Sequence, residues 1–244
     1  MAAIPRSEPF AQQACPLGTC DGSGWILGPE DVARPCECRE QRLKRGRVRG
    51  VASAIPPRYR GVSFDRPPVS DMAHQIETRE AVKKVGVFIE DLDSNLETGQ
   101  GLWLFGDTGT GKTTLAMLVS KAATERGHSV AIYSLPKLLA RIRRTYDEEA
   151  GSDSYGAFFE RLTSVDLLHI DDFGAEKRSD WVLEQLYALV NERYEDERSI
   201  MLTTNLAVDK LEEQIGGRTV SRLTETCEQV PLFGVDRRVE KAPH

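Results

Sequence analysis

The sequence predicts an α/β fold in which a parallel sheet carries helices on both faces, preceded by a small N-terminal module built on four cysteines. Three observations carry that prediction. The stretch Gly106-Asp107-Thr108-Gly109-Thr110-Gly111-Lys112-Thr113 matches the phosphate-loop pattern G-x-x-x-x-G-K-[ST] at every fixed position. The largely apolar run Val165-Asp166-Leu167-Leu168-His169-Ile170 ends in Asp171 and Asp172, as expected of a buried parallel strand that delivers carboxylates to its carboxyl end. Cys15, Cys20, Cys36 and Cys38 cluster near the amino terminus, while Cys227 stands alone.

At 244 residues and a net charge of -6, the chain has room for one α/β domain and a small appendage. The expected division places a metal-binding module and basic linker in residues 1–50 and the α/β domain in residues 51–244. Overall acidity argues against wholesale coating of nucleic acid. The signs are unevenly spread, however, and Arg39, Arg42, Lys44, Arg45, Arg47, Arg49, Arg58 and Arg60 make one strongly basic stretch. Residues 1–10 contain no apolar signal-like core and no uncharged run approaches a membrane span, so the expected location is cytoplasmic, with no membrane partner.

The elements follow in order. Cys15-x4-Cys20 and Cys36-x-Cys38 flank a glycine-rich, hairpin-like stretch, and four thiolates in two close pairs suit a closed tetrahedral Zn²⁺ site. So small a module has little apolar content, and metal binding would supply much of its folding free energy. Pro56-Pro57 disfavours helix and marks a boundary. Helical spacing of Ala81, Val82, Val85, Phe88, Ile89 and Leu92 predicts one helix over about residues 70–96. Leu102-Trp103-Leu104-Phe105 reads as a buried strand entering the phosphate loop, and Thr114 to Ala123 as the helix leaving it, stopped by Gly127.

Residues 129–134 predict a second strand. Leu135, Leu138, Leu139, Ile142 and Tyr146 predict an amphipathic helix, with Lys137, Arg141 and Arg144 on the opposite face. The acidic strand comes next, then a helix from Trp181 to Tyr194 with Val182, Leu186, Leu189 and Val190 inward, and a strand ending in Thr203-Thr204-Asn205. His169 interrupts the acidic strand and is expected to be a hydrogen-bonded core residue.

These residue types define a chemistry. Glycines at 106, 109 and 111 permit a backbone whose N–H groups converge on phosphate oxygens, at the positive end of a helix. Residues 106–114 form the expected nucleotide cradle, with Lys112 reaching the β- and γ-phosphates. Thr113 and Asp171 are the expected Mg²⁺ ligands, Asp172 orients or deprotonates a water, and Asn205 holds that water or the γ-phosphate.

The segments GDTGTGKT, DLLHIDDFGAEK, WVLEQLYALVNERYE, IMLTTNL and GRTVSRL together resemble the AAA+ ATPases that load bacterial replicative helicases, the DnaC/DnaI group, and their transposition relatives of the IstB group. The similarity spans about residues 55–238, and the cysteine module followed by IPPRYRGVSF resembles loaders whose zinc domain contacts the helicase. The resemblance implies a P-loop NTPase of the AAA+ type that uses ATP and Mg²⁺, with Zn²⁺ in the cysteine module. It implies three partners: a hexameric DnaB-type helicase, single-stranded DNA and further copies of the chain. It also assigns Asn205 as the polar sensor, Arg222 as an arginine finger acting across a subunit boundary, and Arg238, or the adjacent Arg237, as the second sensor. The helix from Leu135 corresponds to one used toward single-stranded DNA. The family usually has Asp-Glu where this chain has Asp171-Asp172, so slow, switch-like hydrolysis is expected. Two alternatives stay open: an IstB-like regulator of transposition, and a nucleotide-dependent adaptor with little ATPase activity.

Overall fold

A computed structural model describes residues 15, 17–28, 32–39, 55–146, 154–174 and 176–236. The chain forms two compact units, residues 1–49 and 50–244. In the first, strands β1 (Trp25–Leu27) and β2 (Ala33–Pro35) pair antiparallel, with Trp25 opposite Pro35 and Leu27 opposite Ala33. The hairpin-like stretch between the cysteine pairs is therefore a hairpin. Of the basic stretch in this unit, Arg39 is described; its guanidinium lies 3.9 Å from the centre of the Trp25 ring, a cation–π contact. Residues 42–49 of that stretch lie outside the described residues.

The second unit is a five-stranded sheet flanked by helices. Its chain order is a one-turn 3₁₀ helix (Pro57–Tyr59), α1 (Val69–His74), α2 (Arg79–Glu90), α3 (Leu92–Glu97), β3 (Gly101–Gly106), α4 (Lys112–Glu125) and β4 (Val130–Ser134). There follow α5 (Leu135–Arg144), α6 (Tyr155–Ser164), β5 (Leu167–Asp171), α7 (Asp180–Glu195), β6 (Ser199–Thr204), α8 (Val208–Ile215), α9 (Gly217–Thr226) and β7 (Cys227–Leu232). The strands lie in the order β4-β5-β6-β3-β7, all parallel. Every strand therefore ends on the same edge, where the phosphate loop, the acids and Asn205 collect.

Strand alternation decides which residues share a face. Leu102 and Leu104 of β3, Leu167 of β5, Met201 of β6 and Val230 of β7 pack into one core with Leu115 and Val119 of α4 and Val82, Val85 and Phe88 of α2. On the alternate positions, Leu168, Ile170, Ile200 and Leu202 are buried toward the other face, where α7 and α9 meet β6. The same alternation carries His169, Asp171 and Thr203 to the α4 face. His169 is fully buried, and its Nδ1 shares a 2.9 Å hydrogen bond with Ser120 Oγ of α4. Burial pushes its imidazole down to about 4, so it is a neutral core residue, as its setting in an apolar strand predicted.

Two expectations are corrected. The single helix expected over residues 70–96 is three helices. The chain turns extended at Gln75, and the Thr78 hydroxyl donates to the Met72 carbonyl (2.8 Å), closing the first break; the second falls at Asp91. Apolar spacing continues through both breaks because all three helices bury the same side. Tyr146, expected on the inner stripe of α5, lies beyond the helix end, 51% exposed, and stacks on Tyr155 at 5.1 Å. The remaining stripe holds: Leu135, Leu138, Leu139 and Ile142 are buried, with Lys137, Arg141 and Arg144 exposed.

Arg193 of α7 is fully buried and, among the described residues, has no carboxylate in ion-pair contact. Its guanidinium donates to the carbonyls of Leu162 (3.1 Å), Thr163 (2.9 Å), Val165 (2.9 Å) and Ser199 (2.6 Å), and thereby ties α7, the end of α6 and the entry to β6 together. Among the described residues, no helix is long and apolar enough to cross a membrane.

Candidate functional site

The loop between β3 and α4 is shaped by backbone that only glycine adopts easily. Gly106 has φ 134°, and a Cβ there would run into the Leu232 backbone of the neighbouring strand. Gly111, φ 103°, precedes the first turn of α4. Within the loop, the Thr110 hydroxyl donates to the Asp107 carbonyl (2.9 Å), and the Asp107 carboxylate accepts from Gly234 N–H (3.0 Å). Asp107 and Thr110 thus hold the loop's shape and do not line the cavity. Lys112 is buried and donates to the carbonyls of Gly106 (3.0 Å) and Asp107 (2.6 Å). Its ammonium is thereby fixed at the mouth of the loop.

A cavity of about 390 Å³ opens over this loop. Its walls include Thr108, Gly109, Gly111, Lys112, Thr113 and Thr114 from the loop and helix, Asp172 from the end of β5, and Asn205 from the end of β6. The rest of the wall comes from Arg58, Tyr59, Pro68, Asp71, Met72 and Gln75. Sequence reasoning missed this wall. Pro56-Pro57 read as a crossing between domains, and the aromatic and cation immediately after it were the available signal that the crossing also lines a ligand site.

Two hydroxyls meet on one carboxylate oxygen. Thr113 Oγ1 donates to Asp171 Oδ1 (2.9 Å), and Thr203 Oγ1 donates to the same oxygen (2.6 Å). Asp172 follows at φ 56°, a left-handed conformation that asparagine and aspartate tolerate better than most residues. The phosphate loop, the acidic pair and Asn205 are brought together as expected. Arg222 is not: it lies on α9 away from the cavity, with its guanidinium 5.1 Å from the Tyr187 ring centre and 5.2 Å from that of Tyr194. Arg237 and Arg238 lie outside the described residues.

The donor set fits a magnesium nucleotide. Thr113 and Asp171 offer hard oxygens of the kind Mg²⁺ takes, and Lys112 and the α4 N-terminus offer positive charge to phosphates. Bound Mg²⁺ would neutralise charge on the phosphate oxygens. For their part, Lys112 would orient the phosphates, and Asp172 and Asn205 stand at the wall of the same cavity.

The cysteines pass a separate geometric test. The four Sγ atoms lie within 4.8 Å of one another; Cys20 and Cys38 are 3.5 Å apart, Cys15 and Cys36 3.9 Å. Four thiolates about 2.3 Å from a tetrahedral Zn²⁺ stand about 3.8 Å apart, whereas a disulfide needs about 2.05 Å. All four are free thiols, and the separations fit a shared metal. The Thr19 hydroxyl lies 2.9 Å from the Cys36 sulfur and 3.6 Å from that of Cys15, an outer contact of the kind that orients ligands.

Residues 74–242 match the family described as IstB-like ATP binding protein. The chain belongs to that family. This IstB-like protein is homologous to the helicase loaders of the DnaC/DnaI group. It is 25% identical over 186 residues to the replicative helicase loader DnaC of Escherichia coli (strain K12), covering 76% of this chain and 72% of that one. It is 24% identical over 192 residues to the protein YdaV of the same organism, covering 78% and 73%. The crystal structure of the DnaC helicase loader superposes with a TM-score of 0.63 at 26% identity, covering 72% of this chain and 99% of that one. The fold of the IstB-like protein is the P-loop, parallel-sheet fold of AAA+ proteins.

Proposed function

We propose that this chain is an ATP-dependent loader of the replicative DNA helicase onto single-stranded DNA during replication. The observation that carries this reading is the likeness to the DnaC loader, which extends across 99% of that structure at 26% identity. In this scheme the AAA+ domain, residues 51–244, binds and hydrolyses ATP. Lys112 and the loop of residues 106–114, whose shape Asp107 and Thr110 keep, hold the phosphates, Thr113 and Asp171 hold Mg²⁺, and Asp172 and Asn205 position the attacking water. Arg222 acts on the nucleotide of a neighbouring copy, which accords with its distance from its own cavity. The cysteine module, residues 1–50, binds Zn²⁺ and engages a hexameric DnaB-type helicase.

The exposed Lys137, Arg141 and Arg144 of α5 face single-stranded DNA, where cations on one helix face supply salt-dependent phosphate binding. Hydrolysis is slow and times release of the helicase. Asp172 supports that rate, because its short side chain carries the acid less far than glutamate would. The second reading, a regulator of transposition that polymerises on duplex DNA, is favoured by the IstB-like family match.

One experiment separates them. Full-length protein is mixed with the cognate hexameric helicase, with ATP and either single-stranded or duplex DNA. Co-elution with helicase and transfer of helicase to single strands support the loader. Filament formation on duplex DNA without helicase binding supports the regulator.

A further inference from the structure

Thr203 lies one strand away from the acidic pair, yet it contacts both members. It is 1% exposed, on β6 between β5 and β3. Its hydroxyl has one proton, which goes to Asp171 Oδ1 at 2.6 Å. Thr203 Oγ1 keeps lone pairs to spare, and one accepts the Asp172 N–H at 3.0 Å. Its main-chain carbonyl accepts the Phe173 N–H at 2.7 Å. Three consecutive residues at the exit of β5 are therefore fastened to one residue of β6.

We propose that Thr203 is the positioning residue of the acidic pair, fixing Asp171 as a metal ligand and Asp172 as a water-orienting acid through one hydroxyl. The proposal rests on the ATPase reading above and adds to it a residue that is not part of the cavity wall. Two features make the hydroxyl more than a satisfied core group. Asp171 Oδ1 is held from two sides, by Thr113 and by Thr203, which leaves Oδ2 without a hydrogen-bond partner among the described residues. Asp172 sits at φ 56°, a conformation that surrounding contacts must maintain, and the bond from its N–H to Thr203 is one such contact. Two residues after Thr203 comes Asn205, so one strand end sets both the acids and the polar side chain at the cavity wall. Loss of the hydroxyl leaves Asp171 Oδ1 held by Thr113 alone and takes away the Thr203 acceptor of the Asp172 N–H.

The test compares Thr203→Val, which keeps the buried shape and removes the hydroxyl, with Thr203→Ser, which keeps the hydroxyl. ATP hydrolysis and binding of a fluorescent ATP analogue are titrated with Mg²⁺, and thermal unfolding is recorded for each variant. Outer-shell partners of a metal typically contribute about 10–100-fold in metal affinity or activity. The expected result is that Thr203→Val needs about tenfold more Mg²⁺ and turns over about tenfold more slowly. Its Mg²⁺-free nucleotide affinity stays within about twofold of wild type, and Thr203→Ser recovers both metal requirement and turnover to within about threefold. A Thr203→Val protein with wild-type turnover and Mg²⁺ requirement overturns the proposal, as does a folded Thr203→Ser protein no better than Thr203→Val. If wild type binds Mg·ATP but never hydrolyses it, the ATPase reading fails alone, and the Mg²⁺ titration of binding still decides the role of Thr203. A wild type that binds no Mg·ATP overturns both.

Discussion

Thr113 Oγ1 of the phosphate loop and Asp171 Oδ1 of β5 are 2.9 Å apart, although 58 residues separate them in sequence. That bond joins the phosphate loop to the acid, and the roles proposed for the two are separable. Asp171→Asn keeps the shape and removes the charge that attracts Mg²⁺. Turnover should fall at least about 100-fold, while Mg²⁺-free nucleotide binding changes by less than about threefold. Isothermal titration with and without Mg²⁺ checks the split.

Lys112→Ala removes the ammonium that bonds to the Gly106 and Asp107 carbonyls at the loop mouth. ATP affinity should drop by about tenfold or more, since a charge-assisted contact to phosphate contributes about 1.5–3 kcal/mol. Helicase transfer to DNA should fail with it. A Lys112→Ala protein that retains full loading activity would instead mark the chain as an adaptor whose ATPase is nearly silent.

His169 gives stability a pH dependence. Its folded-state value, about 4, lies below the unfolded value near 6.5, so the unfolded chain binds the extra proton between those pH values. Stability from this group is complete above about pH 6.5 and is lost as pH falls toward 4, with a total on the order of 3 kcal/mol. Urea denaturation between pH 7.5 and 4.5 should show a steeper loss in wild type than in His169→Gln, which does not titrate there.

Much of the site was legible because its chemistry demands fixed residues at fixed spacing. The phosphate loop, the Asp171-Asp172 strand end and Asn205 all meet at one sheet edge, as their positions after predicted strands implied. The strand β7 was not legible. Its sequence Cys227-Glu-Gln-Val-Pro-Leu mixes polar residues and a proline, which an edge strand paired on one side tolerates. Arg58 and Tyr59 escaped because an aromatic and a cation after a proline pair signal a contact surface without saying that it folds back over a loop fifty residues on. Thr203 escaped for a related reason: a threonine in a strand looks like β-propensity until its partner on the next strand is known.

Arg193 tests the scaffold beneath the site. Arg193→Ala would strand buried carbonyls at Leu162, Thr163, Val165 and Ser199 and leave a cavity. Stability should fall by roughly 3–5 kcal/mol, read from the urea midpoint. Arg193→Lys should recover only part of that loss, because one ammonium cannot reach so many separated carbonyls.

The central claim is a handover of helicase to DNA timed by ATP in a zinc-bearing loader. The most direct measurement is single-strand loading of the cognate hexameric helicase by the full-length protein, with and without ATP and with and without prior zinc removal by a chelator. The account predicts that loading requires both zinc and ATP, and that chelation abolishes helicase co-elution while nucleotide binding persists. Loading that persists without ATP, or helicase co-elution that survives chelation, would contradict it.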